Sequence, residues 1–150
     1  MNNMLLMNNM PISRSTLLQF AKYACVGVLN TLVTLCVIYV CKALLGVNPL
    51  VSNAIGYVCG VINSFLWNKN WVFKSSGRYY KEAVKFAVGF FVCYGLQFLV
   101  VWLLSYKTPL KEFELPIAAF TMSGYGIATL IGNVVYTLTN YVYNKIVTFR

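Results

Sequence analysis

Residues 67–74, WNKNWVFK, and residues 143–150, YNKIVTFR, carry one order of aromatic, amide, cation and aromatic side chains, 76 positions apart. Each copy closes an apolar run, since residues 43–68 and 115–144 contain no charged residue over 26 and 30 positions. About 20 apolar residues cross a bilayer as an α-helix. The repeated order therefore predicts two membrane helices that end at the same kind of boundary.

The charge-free segments of the whole chain predict an all-α membrane protein. Residues 23–41 and 86–106 also lack charged side chains, and 59% of the chain is hydrophobic against 10% charged, far from the composition of a soluble domain. We predict four transmembrane helices near residues 21–44, 51–70, 84–105 and 118–143.

The two halves of the chain begin alike as well as ending alike. FAKYACVG (20–27) and AVKFAVG (83–89) both place a cation, an aromatic and an alanine before a glycine. Because each half holds two helices, the halves have the same orientation and form two parallel two-helix repeats. We predict one domain over residues 1–150, made of a cytoplasmic lead (1–19), repeat 1 (20–74), a basic linker (75–82) and repeat 2 (83–150).

Charge predicts the orientation in the membrane. The first ten residues lack the basic start of a signal peptide, so we expect the first helix to act as an uncleaved insertion signal. Nine cations adjoin the same side of the predicted helices, against three on the other: Arg14, Lys22, Lys69, Lys74, Arg78, Lys81, Lys85, Lys145 and Arg150, against Lys42, Lys107 and Lys111. The positive-inside rule predicts a multi-pass membrane protein with both termini cytoplasmic. The net charge of +9 is thus explained without nucleic-acid binding.

Small and polar residues follow a four-residue spacing on helices 2 and 4, and so share one helix face. Gly56, Gly60 and Gly132 are predicted to let a neighbouring helix approach closely. Further polar side chains are candidates for a substrate path: Asn30, Asn63, Ser64, Asn68, Gln97, Asn133, Asn140 and Asn144. An unsatisfied amide costs several kcal/mol in hydrocarbon. These residues therefore either line a path or bond to neighbouring helices.

Five cations are candidates to bind a lipid phosphate: Lys22, Lys69, Lys85, Lys145 and Arg150. Contact with anionic headgroups would explain most of them. Lys69 and Lys145 are distinguished by following Asn68 and Asn144, because a cation beside an amide donor suits a phosphate at the interface.

The sequence gives no support for a catalytic, metal or cofactor site. The chain has no histidine, and its acids, Glu82, Glu112 and Glu114, lie outside the predicted spans. Its five cysteines form no CxxC motif. We predict neither an enzyme nor a metal or cofactor site. Without an intramembrane ionisable group, any transport is expected to run down a gradient.

Residues 20–150 resemble the GtrA-like family. The resemblance rests on FAKYACVGVLNT (20–31), NSFLWNKNWVF (63–73) and NYVYNK (140–145). It implies a small four-helix protein of bacterial surface polysaccharide and teichoic acid glycosylation, which passes a polyprenyl-phosphate-linked monosaccharide to the outer leaflet. A separate membrane glycosyltransferase would load the lipid. The family often has Asn-Phe before the first Trp-Asn-Lys, whereas Ser64 precedes Phe65 here.

The leading hypothesis is a flippase for that lipid-linked sugar, or a subunit of one. An adaptor that recruits a glycosyltransferase is the alternative. A small multidrug exporter is disfavoured, because such exporters rely on a carboxylate within the membrane and the predicted spans of this chain contain none. Expected partners are the lipid-linked sugar, membrane lipids, a membrane glycosyltransferase and, because four helices enclose little space, a second copy of the chain.

Overall fold

The computed structural model describes residues 14–117 and 120–150. Its contacts divide the chain into two compact units, one ending at Ser75 and the other running from Ser76 to Arg150. The predicted cytoplasmic lead lies mostly outside the described residues. Its last six residues, 14–19, are helical and continuous with the first helix.

The first unit is a pair of helices, each of which ends in a π-helical turn. Its elements are α1 (Arg14–Tyr39) with a π-helical turn (Val40–Leu44), and α2 (Pro49–Trp67) with a second such turn (Asn68–Val72). Gly46 has a φ of 64°, which glycine adopts without strain, and it turns the chain between the helices. Asn48 then caps α2 by accepting a hydrogen bond from the Leu50 amide at 2.9 Å, with Pro49 in the first turn.

The second unit contains a β-hairpin between its two helices. Its elements are α3 (Tyr79–Lys107), a 3₁₀ turn (Pro109–Glu112), β1 (Glu114–Ile117), β2 (Phe120–Ser123), α4 (Gly124–Tyr143) and a π-helical turn (Asn144–Thr148). Helix α3 begins five residues before the predicted span, inside the predicted linker. The two strands pair antiparallel, with Glu114 opposite Ser123.

The predicted start of the fourth helix, at residue 118, was wrong. Residues 120–123 form strand β2, and α4 begins only at Gly124. Ser123 fixes this start by accepting a hydrogen bond from the Gly126 amide at 3.3 Å. Glycine is required at position 124, because a Cβ there would collide with the Leu110 carbonyl oxygen. The absence of charge over residues 115–144 marked an apolar segment but did not separate strand from helix.

Within residues 14–117 and 120–150, three helical segments are long and apolar enough to cross a membrane: Arg14–Leu44, Pro49–Val72 and Tyr79–Lys107. Helix α4, which carries Asn133, Asn140 and three threonines, is not among these three segments. The chain is thus a membrane protein of paired helices, and the fourth span stays a prediction.

Both units use a glycine at the same point of helix contact. A Cβ built on Gly56 would lie 2.5 Å from Cγ1 of Ile38, and one built on Gly132 would lie 2.5 Å from Cγ2 of Val101. Gly60 likewise faces the Thr34 hydroxyl. Ile38 and Val101 are 63 residues apart, which is the offset between the cations of the similar sequences that begin the two halves. Gly56 and Gly132 are 76 residues apart, which is the offset between the two repeated closing sequences. We infer that each unit is one copy of a two-helix repeat.

Candidate functional site

The repeated sequence adopts the same uncommon backbone in both units. The amide of Phe73 donates to the Asn68 carbonyl oxygen at 2.9 Å, and the amide of Phe149 donates to that of Asn144 at the same distance. These are i→i+5 bonds, and π-helical turns of this kind are rare and frequent at functional sites. We call Asn68–Val72 and Asn144–Thr148 the Asn–Lys turns.

In the first unit, two predicted phosphate-binding lysines lie at the Asn–Lys turn. The Lys22 ammonium on α1 lies 5.4 Å from the ring centroid of Trp71. Lys69 is only 2% exposed, and its ammonium donates to the Ser75 carbonyl oxygen at 3.2 Å. Lys22 is therefore more accessible to a ligand than Lys69, which the sequence had favoured.

The second unit repeats this arrangement with different partners. The Lys85 ammonium on α3 donates to the Val147 carbonyl oxygen at 3.1 Å. The Lys145 ammonium lies 5.7 Å from the Tyr141 ring centroid, and Arg150 is exposed. Within each unit, the structure thus brings a lysine of the first helix to the Asn–Lys turn of the second.

The asparagines of the two turns are buried, and within the described part of the chain only the side-chain nitrogen of each, not the oxygen, forms a hydrogen bond. Asn68 is 1% exposed and Asn144 0%. The Asn68 side-chain nitrogen donates to the Ser64 hydroxyl at 3.2 Å, and that of Asn144 donates to Oδ1 of Asn140 at 3.3 Å. Among the described residues, neither Oδ1 atom has a hydrogen-bond partner. One amide N–H of each asparagine is thus engaged within the helix, and the carbonyl oxygen of each is left without a partner among these residues.

Four of the predicted path residues pair with one another between helices. Asn63 donates from Nδ2 to Oδ1 of Asn30 at 2.7 Å, and Gln97 donates from Nε2 to Oδ1 of Asn133 at 2.7 Å. Such bonds stabilise helix pairs in a bilayer. This pairing accounts for the four amides without a substrate path.

The first amide pair provides a stability test. An Asn30→Leu variant is expected to lose about 1 kcal/mol of unfolding free energy, because the Asn63 amide loses its partner. Asn30→Leu with Asn63→Leu is expected to lose less than the sum of the two single changes. Unfolding in detergent, followed by circular dichroism, gives all the values of this double-mutant cycle. Additive losses would show that the bond contributes no coupling.

Helix α4 carries a polar column at four-residue spacing. Asn140 donates from Nδ2 to the Tyr136 hydroxyl at 3.2 Å and accepts from Asn144. The sequence analysis did not identify the last member, Thr148, which is 1% exposed and whose hydroxyl oxygen has no partner among the described residues. Extending the four-residue spacing one position beyond Asn144 would have identified Thr148. In the first unit, Val72 holds the corresponding position.

Metal binding has no candidate in the structure. Within residues 14–117 and 120–150, no three side chains of histidine, cysteine, aspartate or glutamate lie together as a metal would require. The polar chemistry of the two turns is that of amides, hydroxyls and lysines.

Paired apolar helices with buried amides and lysines at one end define an integral membrane protein with polar sites at its helix ends. Residues 22–149 match the GtrA/DPMS transmembrane domain. The chain belongs to this family.

Three relatives show the range of similarity. The cell wall teichoic acid glycosylation protein GtcA of Listeria innocua is 26% identical over 149 residues, covering 97% of this chain and 94% of the relative. The uncharacterized membrane protein YngA of Bacillus subtilis is 34% identical over 86 residues, 55% of each chain. A prophage bactoprenol-linked glucose translocase homolog of Escherichia coli is 42% identical over 57 residues, 38% of this chain and 48% of the relative. The matched region thus spans about half the length of the latter two.

Proposed function

We propose that this protein moves a polyprenyl-phosphate-linked monosaccharide across the bacterial cytoplasmic membrane for glycosylation of teichoic acid or another surface polysaccharide. The membership of the GtrA/DPMS family supports this function, as do relatives named for teichoic acid glycosylation and for bactoprenol-linked glucose translocation. The protein forms and breaks no covalent bond in this role, and is a transporter rather than an enzyme.

The observation that carries the proposal is the convergence of lysines on the Asn–Lys turns. Lys22 reaches the turn of the first unit, and Lys85 that of the second. An ammonium has three donors, so the bond from Lys85 to Val147 leaves two for a phosphate. Aromatic rings and apolar helix faces beside these cations suit a lipid whose charged headgroup lies at the interface.

The proposed topology has four spanning helices, in two parallel repeats, with both termini in the cytoplasm. The excess of cations on one side of the helices supports it through the positive-inside rule. Both Asn–Lys turns then face the cytoplasmic leaflet, where the charged lipid would be loaded. Helix α4, with its two asparagines and three threonines, is expected to require a partner helix in the bilayer.

The proposed movement is uncoupled. A membrane glycosyltransferase loads the lipid inside, and consumption of the sugar outside keeps the outer concentration low. Net movement is then favourable without an ion gradient. A second copy of the chain is a proposed partner that would enlarge the polar route between helices.

Reconstitution tests the function directly. Liposomes containing the purified protein and a labelled polyprenyl-phosphate glucose are expected to exchange the lipid between leaflets faster than protein-free liposomes, at equal rates with and without a pH gradient. Accessibility of the outer sugar to an added oxidant measures the exchange. Folded protein that gives no acceleration contradicts autonomous flipping. Activity that appears only with a co-reconstituted glycosyltransferase would instead favour an adaptor.

A further inference from the structure

The end of the polar column on α4 holds two buried acceptors without partners. Oδ1 of Asn144 and Oγ1 of Thr148 have no hydrogen-bond partner among the described residues, and both side chains are at most 1% exposed. An unsatisfied buried polar group destabilises a fold. A pair of such groups, one helical turn apart on the same face, marks a place where a polar ligand can bind.

The column determines which atom Asn144 presents. Its side-chain nitrogen donates to Oδ1 of Asn140, and the nitrogen of Asn140 donates in turn to the Tyr136 hydroxyl. Both amides are thereby held with their nitrogens directed along the column. Asn140 and Tyr136 act as positioning residues, and the carbonyl oxygen of Asn144 remains as the acceptor.

The charges around these acceptors select the ligand. The ammonium of Lys85 bonds to the Val147 carbonyl within the same turn, and that of Lys145 lies 5.7 Å from the ring centroid of Tyr141, one turn earlier on α4. Two cations here disfavour a metal ion, and an amide oxygen cannot bond to a fully ionised phosphate oxygen. The fitting ligand donates hydrogen bonds from hydroxyls and carries an anion beside them.

We infer that the Asn–Lys turn of the second unit binds the hydroxyl groups of an anionic polyol, with Asn144 and Thr148 as the hydroxyl-binding residues and Lys85 and Lys145 beside the anion. This inference rests on the proposed function and specifies its sugar-binding atoms. Because Asn144 is fully covered, entry of the ligand requires the turn to open.

The two units differ in this respect. The first unit has the corresponding acceptor at Asn68 but a buried valine, Val72, in place of Thr148. It thus offers one hydroxyl-binding atom where the second unit offers two. The second unit is therefore the one expected to discriminate between headgroups with and without a sugar.

Binding of matched lipids tests this assignment. Purified full-length protein in detergent is titrated with short-chain polyprenyl-phosphate glucose and with the same polyprenyl phosphate without sugar. Two hydroxyl bonds are expected to make the glucose lipid bind about tenfold more tightly. Asn144→Leu and Thr148→Val are each expected to reduce this ratio about threefold, without weakening the sugar-free lipid.

Two controls separate this effect from general damage. Asn53→Leu removes an exposed amide on α2 and is expected to preserve the ratio. Lys145→Gln is expected to weaken both lipids alike and leave the ratio unchanged. Equal binding of the two lipids by the unchanged protein would overturn the inference while leaving phosphate recognition intact. Failure to bind either lipid would overturn the proposed function as well.

Competition binding distinguishes a lipid-linked sugar from other molecules that carry hydroxyl groups and a phosphate. Glucose 1-phosphate shares the hydroxyl and phosphate chemistry but lacks the lipid, and phosphatidylglycerol is an ordinary membrane lipid with both groups. Stronger competition by polyprenyl-phosphate glucose than by either supports the assignment to a lipid-linked sugar. Equal competition by phosphatidylglycerol would overturn it.

Discussion

A Gly132→Leu variant is expected to unfold at much lower denaturant concentration than the unchanged protein, because it forces α4 away from α3. A Cβ at position 132 would lie 2.5 Å from Cγ2 of Val101 and 3.3 Å from Cγ of Gln97. Valine in a helix has essentially one rotamer, so Val101 cannot turn aside. Overpacking of this kind costs about 1–3 kcal/mol for smaller insertions. A leucine side chain is larger than those insertions, so its cost in unfolding free energy is expected to be higher. The higher helix propensity of leucine offsets only about 1 kcal/mol of that cost.

Gly95→Leu on α3 is the matched control, since a Cβ there meets no atom within 4 Å. It is expected to leave stability unchanged or slightly raised. Unfolding in mixed detergent, followed by circular dichroism, gives the free energies. A detergent-soluble thiol dye reports the opening of the second unit through Cys93, which is buried, in a protein whose other four cysteines are replaced by alanine. Equal stability of the two leucine variants would mean that this glycine contact does not hold α3 and α4 together.

A Lys22→Gln, Lys85→Gln double variant is expected to lose most of the translocation activity. These lysines lie at the Asn–Lys turns, and they are more exposed than Lys69. A lysine near an anionic headgroup contributes about 1 kcal/mol, so each change reduces binding of the charged lipid at its own turn about fivefold. The leaflet-exchange assay at subsaturating lipid measures this loss, and raised salt is expected to reduce the activity of the unchanged protein in the same direction.

Lys42→Gln is the matched control, because Lys42 is exposed in the π-helical turn that ends α1, away from the Asn–Lys turns. It is expected to retain full activity. If the double variant and the control flip the lipid equally fast, the lysines at the Asn–Lys turns serve only to orient the helices. Circular dichroism of both proteins excludes misfolding as the cause of a loss.

The membrane class and three of the helical segments were predictable from the sequence because each depends on a long local run of apolar residues. The start of α4 was not. An uncharged segment is compatible with strand or helix, and the choice at residues 114–123 depends on pairing between Glu114–Ile117 and Phe120–Ser123. The Leu110 carbonyl against Gly124 is likewise a contact that no local pattern indicates.

The candidate site, too, was predictable from the sequence only in part. Sequence spacing located Asn68 and Asn144 on the faces of their helices, and placed lysines near both. It could not tell that Asn30 bonds to Asn63 and Gln97 to Asn133, because that requires the register of one helix against another. A path and a packing contact need the same residue types. Only the pairing of donors with acceptors distinguishes satisfied amides from Asn144, whose oxygen is left over.

By itself, the sequence determined that this is a membrane protein with lysines and amides repeated at two helix ends, because composition and spacing are properties of the chain alone. Tertiary structure decided that both copies form π-helical turns, that Lys69 is buried while Lys85 is exposed, and which amide oxygens lack partners. Burial and hydrogen bonding depend on the neighbouring helix. The chemistry offered to a ligand is therefore set by the packing of each helix pair.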